Sequence, residues 1–231
     1  MRTKSRGKSL SNTQKNILCK ALLFDMDGVL VDSTGAIERS WQKWGKFHNL
    51  DLQKLMKLIH GRPAMDTIKS IAPYLDAKKE WETLIRQELK DIDGLSSYFG
   101  VTSLLKSLPL KQWAIVTSAP RAIAINRLDK LQLPKPEMIV CAEDVSNGKP
   151  SPEGYIAAAE ALRIPNSECV VIEDSIPGIH AGLSAGMKVI AVATTNPIEK
   201  LTSATWCINS IQEIRIENQN KFMKISCAKT Y

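Results

Sequence analysis

No stretch of this sequence approaches the roughly 18 consecutive apolar residues of a membrane-spanning helix, so no such span and no membrane partner are expected. Paired thiols are missing as well. The five cysteines, Cys19, Cys141, Cys169, Cys207 and Cys227, are odd in number, scattered and without CxxC spacing. That pattern argues against a disulfide framework and against a zinc site. Cys141 and Cys169 lie in apolar runs and read as small buried hydrophobes, which suits the reducing cytoplasm. Acidic residues are missing from residues 1–20, where Arg2, Lys4, Arg6, Lys8, Lys15 and Lys20 hold six of the seven excess positive charges. Residues 21–231 therefore sum to only about +1, so the basicity belongs to a tail. The tail also lacks the apolar core of a secretory signal. Its composition is weakly like that of an organellar transit peptide, but a solvated, disordered segment is the simpler expectation.

The rest of the chain is rich in short apolar runs: "ALLFDMD", "WAIVTSA", "EMIVCAED", "CVVIEDS" and "KVIAVATT". A continuous apolar run of this length fits a strand covered on both faces, as in a parallel sheet. Helix-length segments separate the last four, among them "PRAIAINRLDKLQL" and "PEGYIAAAEALRI". The alternation predicts an α/β fold, a doubly wound parallel sheet. Between the first run and "WAIVTSA" the rhythm breaks. "IERSWQKWGKF", "PAMDTIKSIAPYL" and "KKEWETLIRQELKD" carry apolar residues at helical spacing. We expect a helical domain over 34–94, inserted into a core made of 21–33 and 95–231, with hinges near Ser33–Gly35 and Asp93–Ser97. The 231 residues suit such a domain with an insertion.

Ligands of open α/β sheets bind at the carboxyl ends of the strands. The polar residues ending the apolar runs should therefore converge there: Asp25 and Asp27, Thr117 and Ser118, Glu173 and Asp174. Lys149 precedes a predicted helix and can reach the same edge. Bare carboxylates cannot share a buried site without a cation, and hard oxygen donors in that number suit Mg²⁺. Lys149 with Thr117 and Ser118 adds one charge and several donors, which fits a tetrahedral oxyanion such as phosphate. One aspartate of the pair can be a nucleophile and the other a proton donor and acceptor, provided the chain turns at Gly28, where a missing Cβ permits the turn.

At these residues the sequence resembles the haloacid dehalogenase-like superfamily of phosphohydrolases. "FDMDGVL" is similar to its DxDG[TV] motif, and Thr117 to the threonine closing its second strand. Lys149 in "GKP" matches its motif lysine, and Glu173–Asp174 its paired acids. The resemblance runs from about Ala21 to Ala204, and four motifs in order at family-like spacing make it specific. The helical insertion sits where the family's C1 cap sits. "HGRPAMDTI" and "GKPSPEGY" resemble the phosphatases of small sugar and polyol phosphates.

The resemblance implies that Asp25 attacks phosphorus and forms an aspartyl-phosphate. It implies that Asp27 protonates the leaving alkoxide and later accepts a proton from water. Mg²⁺ would be held by Asp25, the Asp27 carbonyl and Asp174, with Glu173 direct or through water. Thr117, Ser118 and Lys149 would hold the transferring oxygens. His60, Gly61 and Arg62 can line the substrate pocket from the cap, and equally can form a linker turn with Pro63. Asp32 reads as a turn residue, His48 and His180 as structural, and Trp41, Trp44 and Trp81 as cap core.

The expected partner is a small phosphorylated metabolite and the expected state a monomer, with no nucleic acid. A β-phosphoglucomutase-type phosphosugar mutase shares every core motif. That branch, however, has an arginine three residues after the glycine of the segment resembling "HGRPAMDTI", a position held here by Ala64; Arg62, one residue after the glycine, is expected to point elsewhere unless the turn is rearranged. A non-catalytic nucleic-acid-binding protein using the basic tail is the alternative from another class. The acidic cluster, which repels phosphate, argues against it. A dehalogenase is disfavoured because that branch lacks the second aspartate that Asp27 supplies.

Overall fold

The computed structural model describes residues 16–59, 64–91 and 93–227. Its strands in chain order are β1 (Asn16–Cys19), β2 (Ala21–Phe24), β3 (Val31–Asp32), β4 (Ser96–Ser97), β5 (Trp113–Val116) and β6 (Ile139–Val140), then β7 (Cys169–Glu173), β8 (Lys188–Val192), β9 (Trp206–Ile208), β10 (Ile214–Gln219) and β11 (Phe222–Cys227). Its α-helices are α1 (Thr34–Phe47), α2 (Leu52–Met56), α3 (Ala64–Ile71) and α4 (Ala77–Lys90), then α5 (Val101–Ser107), α6 (Arg121–Lys130), α7 (Glu153–Leu162) and α8 (Ile176–Ser184).

The five apolar runs become β2, β5, β6, β7 and β8, and β9 joins them in a six-stranded sheet of order β6-β5-β2-β7-β8-β9. Every pairing in it is parallel. Side chains alternate between the faces. Leu22, Phe24, Trp113, Ile115, Val170 and Ile172 pack with Val101 and Leu105 of α5 and with Ala124 and Leu128 of α6. Leu23, Ala114, Val116 and Val171 pack on the other face with Tyr155 and Ala158 of α7 and with Ile179 of α8. Both faces are dry, which is why the strands read as unbroken apolar runs. The strand order reverses between β2 and β7, and ligand sites in such sheets form at this switch point.

A second sheet was not anticipated. Strands β1, β11 and β10 pair antiparallel, and Ile17, Ile214, Met223 and Ile225 join the α5/α6 cluster. This corrects the expected tail over residues 1–20, because residues 16–19 form an ordered strand. Ile17 and Cys19 alternate with exposed Asn16 and Leu18, a period-two pattern too short to stand out beside a basic segment. Residues 1–15 lie outside the described residues. All five cysteines are free and buried, as the apolar settings of Cys141 and Cys169 suggested.

The helices α1–α4 fill the interval between β3 and β4. These two short strands pair antiparallel, Val31 with Ser97 and Asp32 with Ser96, and so bring the two ends of the insertion together. Asp32 Oδ1 accepts from Thr34 N, the turn role expected of it. The insertion has its own apolar cluster of Trp41, Trp44, Leu55, Ile59, Ile68, Ala72 and Leu84, with Trp81 partly buried against it. Asp51 and Asp76 cap α2 and α4 by accepting from the backbone N–H groups of Gln53 and Lys54 and of Lys78 and Lys79. Glu80 Oε2 accepts from Trp44 Nε1 at 2.8 Å and lies 3.0 Å from His48 Nε2, so His48 is a structural residue. Among the described residues no helix is long and apolar enough to cross a membrane.

Candidate active site

Strand β2 ends at Phe24, and Asp25 N still donates to Ile172 O at 2.9 Å. The chain then turns. Gly28 has φ +89°, its N–H donates to Val31 O, and Leu30 and Val31 donate to Met26 O. A Cβ on Gly28 would lie 2.1 Å from Asp174 Oδ2. The glycine is therefore required twice, by its backbone angle and by the approach of β7. The turn places Asp25 and Asp27 at the carboxyl edge, next to Glu173 and Asp174 at the end of β7.

Lys149, in the loop before α7, reaches this edge from the β5 side. Its Nζ lies 2.5 Å from Asp25 Oδ1, 2.6 Å from Glu173 Oε1 and 3.2 Å from Val116 O. Glu173 is fully buried, and its oxygens are heavily committed. Oε1 also accepts from Tyr155 OH at 3.0 Å. Oε2 accepts from Asp174 N, Ser175 N and Ser175 Oγ at 2.8–2.9 Å. A Cβ on Gly178 would stand 1.7 Å from Glu173 Oε1, so the first turn of α8 is cut to fit this carboxylate. Asp174 Oδ2 accepts from Thr195 Oγ1.

Asp25, Glu173 and Asp174 each offer one oxygen within 4.8 Å of the others. With one ammonium among three acids, charge is left over. Burial pushes the Asp25 carboxyl well above its ordinary range, against the pull of Lys149, and Glu173, Asp174 and Asp27 add to the rise. Burial and the Glu173 charge push Asp174 up to about 7. Burial acts to raise Glu173 too, but Lys149 and Ser175 overcome it and hold it below its usual range. Burial alone would lower Lys149, and the charges of Asp25 and Glu173 outweigh it and hold the ammonium protonated. A buried set of hard oxygen donors short of positive charge fits a divalent cation such as Mg²⁺. Asp25 and Asp174 have the freer oxygens for it.

Thr117 follows β5 and is buried, with its N–H on Val140 O at 2.9 Å and its Oγ1 accepting from Ala119 N at 3.0 Å. Ser118 is exposed at the same edge. The structure thus brings Asp25, Asp27, Thr117, Ser118, Lys149, Glu173 and Asp174 to one end of the sheet. His60, Gly61 and Arg62 lie outside the described residues.

Five residues of the site were not singled out from sequence: Ser33, Glu88, Arg127, Tyr155 and Thr195. Arg127 projects from α6 between core and insertion and is 4% exposed. Its Nη1 lies 2.5 Å from Asp27 Oδ1, and its Nη2 lies 2.9 Å from Glu88 Oε2 on α4. Ser33 Oγ donates to the same Asp27 Oδ1 at 2.6 Å. Burial pushes Glu88 up to about 7 while Arg127 opposes it and the Asp27 charge adds to the rise. A signal for Arg127 exists in the helix pattern: it falls four residues after Ile123, beside Leu128, on the buried face of α6. A charged residue at a core position needs a buried partner.

Most of the chain is similar to known proteins. Residues 22–192 match the family model described as haloacid dehalogenase-like hydrolase. Hexitol phosphatase A of Escherichia coli is 35% identical over 206 residues, covering 87% of this chain and 95% of that protein. Glycerol-1-phosphate phosphohydrolase 1 of Saccharomyces cerevisiae is 32% identical over 205 residues, covering 83% of this chain and 82% of that one. Among solved structures, a β-phosphoglucomutase from Clostridium difficile superposes with a TM-score of 0.74 at 25% identity, over 85% of this chain and 93% of its own. An acid following β2, a lysine bridging Asp25 and Glu173 and a matching family model over most of the sheet lead to one assignment: the chain belongs to the haloacid dehalogenase-like hydrolases.

Proposed function

We propose that this protein is a Mg²⁺-dependent phosphatase acting on a small sugar or polyol phosphate monoester. The observation that carries the reading is the Asp25 carboxylate, held 2.5 Å from Lys149 Nζ, beside a second aspartate two residues on that sits in a different environment.

Asp25 attacks phosphorus in line and the ester oxygen leaves, giving an aspartyl-phosphate. Asp27 donates its proton to the departing alkoxide, then takes a proton from the water that cleaves the acyl phosphate. Lys149, Thr117 and Ser118 hold the oxygens of the transferring group, where charge stabilisation and positioning are most of the catalysis. Glu173 also acts through Lys149, by the bond described above. Mg²⁺, held by Asp25, the Asp27 carbonyl and Asp174, with Glu173 direct or through water, would supply positive charge to the phosphoryl oxygens.

The test is a screen of phosphate release over many phosphorylated metabolites, with and without Mg²⁺. Release from a hexose 6-phosphate, a hexitol phosphate or a glycerol phosphate is expected, with loss of activity in EDTA. Ca²⁺ is expected to inhibit, because its looser and higher coordination misplaces the in-line geometry. Full activity in chelator would exclude the mechanism.

A phosphosugar mutase shares these core residues but must hold a second phosphate while the first is transferred. That needs a fixed cation in the cap, and Ala64, the first residue of α3, occupies the position where the resemblance would place an arginine. A sugar bisphosphate would then leave one dianion poorly paired in a partly dry cavity, and water would reach the aspartyl-phosphate first. Incubation with β-glucose 1-phosphate and a catalytic amount of its bisphosphate is expected to give negligible glucose 6-phosphate. Isomerisation outpacing phosphate release would reverse the choice.

A further inference from the structure

We infer that Arg127 is the positioning residue for Asp27, and that Glu88 of the helical insertion holds Arg127 in place for that task. The inference rests on the phosphatase reading for the role of Asp27 and adds two residues to it.

The geometry is that of a clamp with one arm on each part of the molecule. The guanidinium is planar, permanently charged and buried, so its donors have fixed directions and need acceptors. One arm meets Asp27 Oδ1 on the core and the other meets Glu88 Oε2 on α4. Among the described residues, both hydrogen bonds to the Asp27 carboxylate, from Arg127 and Ser33, fall on Oδ1. The carboxylate is thereby fixed in rotation, and Oδ2 is the oxygen left to carry a proton to and from the substrate. Glu88 balances the second half of the guanidinium. Any separation of α4 from α6 would take Glu88 away from Arg127, leave those donors unmatched and loosen the hold on Asp27. Ser33 and Arg127 hold Asp27 from the core, and the contact between Glu88 and Arg127 makes the precision of that hold depend on how the insertion packs against α6.

The experiment compares two esters. An alkyl phosphate, such as the best sugar or polyol phosphate from the screen, expels a poor leaving group that needs its proton. p-Nitrophenyl phosphate expels a nitrophenolate that does not. Their kcat/KM values report the steps up to transfer onto Asp25. Arg127→Gln is expected to lower kcat/KM for the alkyl ester by about 10–100-fold, part of the roughly 10²–10⁴-fold that a general acid contributes, and for the nitrophenyl ester by less than about 3-fold. Glu88→Gln is expected to give a smaller loss with the same selectivity. Arg127→Lys should recover only part, because an ammonium cannot present a planar fork to both carboxylates. Arg127→Gln leaves two acids without their cation and can fail to fold. The Arg127→Gln/Glu88→Gln pair removes one charge of each sign and carries the same test. Equal losses on both esters in the folded variants would mark Arg127 as merely structural and overturn the inference, as would no loss on either. A wild-type protein that turns over neither ester would instead overturn the phosphatase reading, and this inference with it.

Discussion

Asp25→Asn is expected to lower phosphate release by on the order of 10⁴-fold or more, as removal of a covalent nucleophile does, while the fold stays intact. The amide has the shape of the carboxylate but neither its nucleophilicity nor its charge. Stability should move the other way. Burial and the neighbouring acids Glu173, Asp174 and Asp27 raise the proton affinity of Asp25, so keeping it ionised at the sheet edge without metal is costly. Neutralising it relieves that cost, and in EDTA the variant is expected to melt at or above the wild-type Tm. The same loss of charge weakens the metal site, so added Mg²⁺ should raise the Tm of the variant less than that of wild type. Activity that persists at more than about a hundredth of wild type would remove Asp25 from the nucleophile role. Asp27→Asn differs in kind: loss of the acid and base is worth about 10²–10⁴-fold, and an activated ester can then trap the aspartyl-phosphate for detection by mass.

Lys149→Met is expected to cost both function and stability. The ammonium is the cation that touches Asp25 and Glu173 together, and Glu173 is fully buried. Removing one partner of a buried pair leaves the other charge bare, which costs about 3–5 kcal/mol. For a chain of this length that is a fall in Tm of roughly 10 °C. Methionine keeps most of the stem volume, so lost packing contributes little. Mg²⁺ should restore part of the stability but not the activity, because the lysine also holds the transferring oxygens, and losing one such donor costs roughly 10²–10³-fold in rate. Denaturation in EDTA and in Mg²⁺, with phosphate release on the same samples, separates the two effects. A variant as stable as wild type in EDTA would contradict the charge balance described for the site.

The legible part of the molecule was the part whose residues announce their environment locally. β2, β5, β6, β7 and β8 are buried on both faces, so their sequences are continuous apolar runs and their ends stand out where polar residues begin. The acids, Thr117 and Lys149 are legible for the same reason: each sits immediately after such a run or in a short motif. β9, β10 and β11 were missed. β10 alternates weakly, with Ile214 buried and the outer residues largely exposed, and its place is set by pairing with β11 rather than by its own composition. β1 was hidden inside a basic stretch, because the partner that orders it lies about two hundred residues later in the chain.

By itself the sequence determined the α/β class, the helical insertion after the first sheet strand, and the identity of the carboxylates, threonine and lysine that meet at the sheet edge. Strand burial and turn chemistry are local properties, written in neighbouring residues. Only the tertiary structure decided how the charges are shared. It assigned Glu173 to Lys149, Tyr155 and Ser175, gave Asp174 to Thr195, and set Arg127 between Asp27 and Glu88. Those pairings join residues up to a hundred positions apart. An ion pair has no periodicity, and its energy depends on distance and burial, which exist only once the chain has folded.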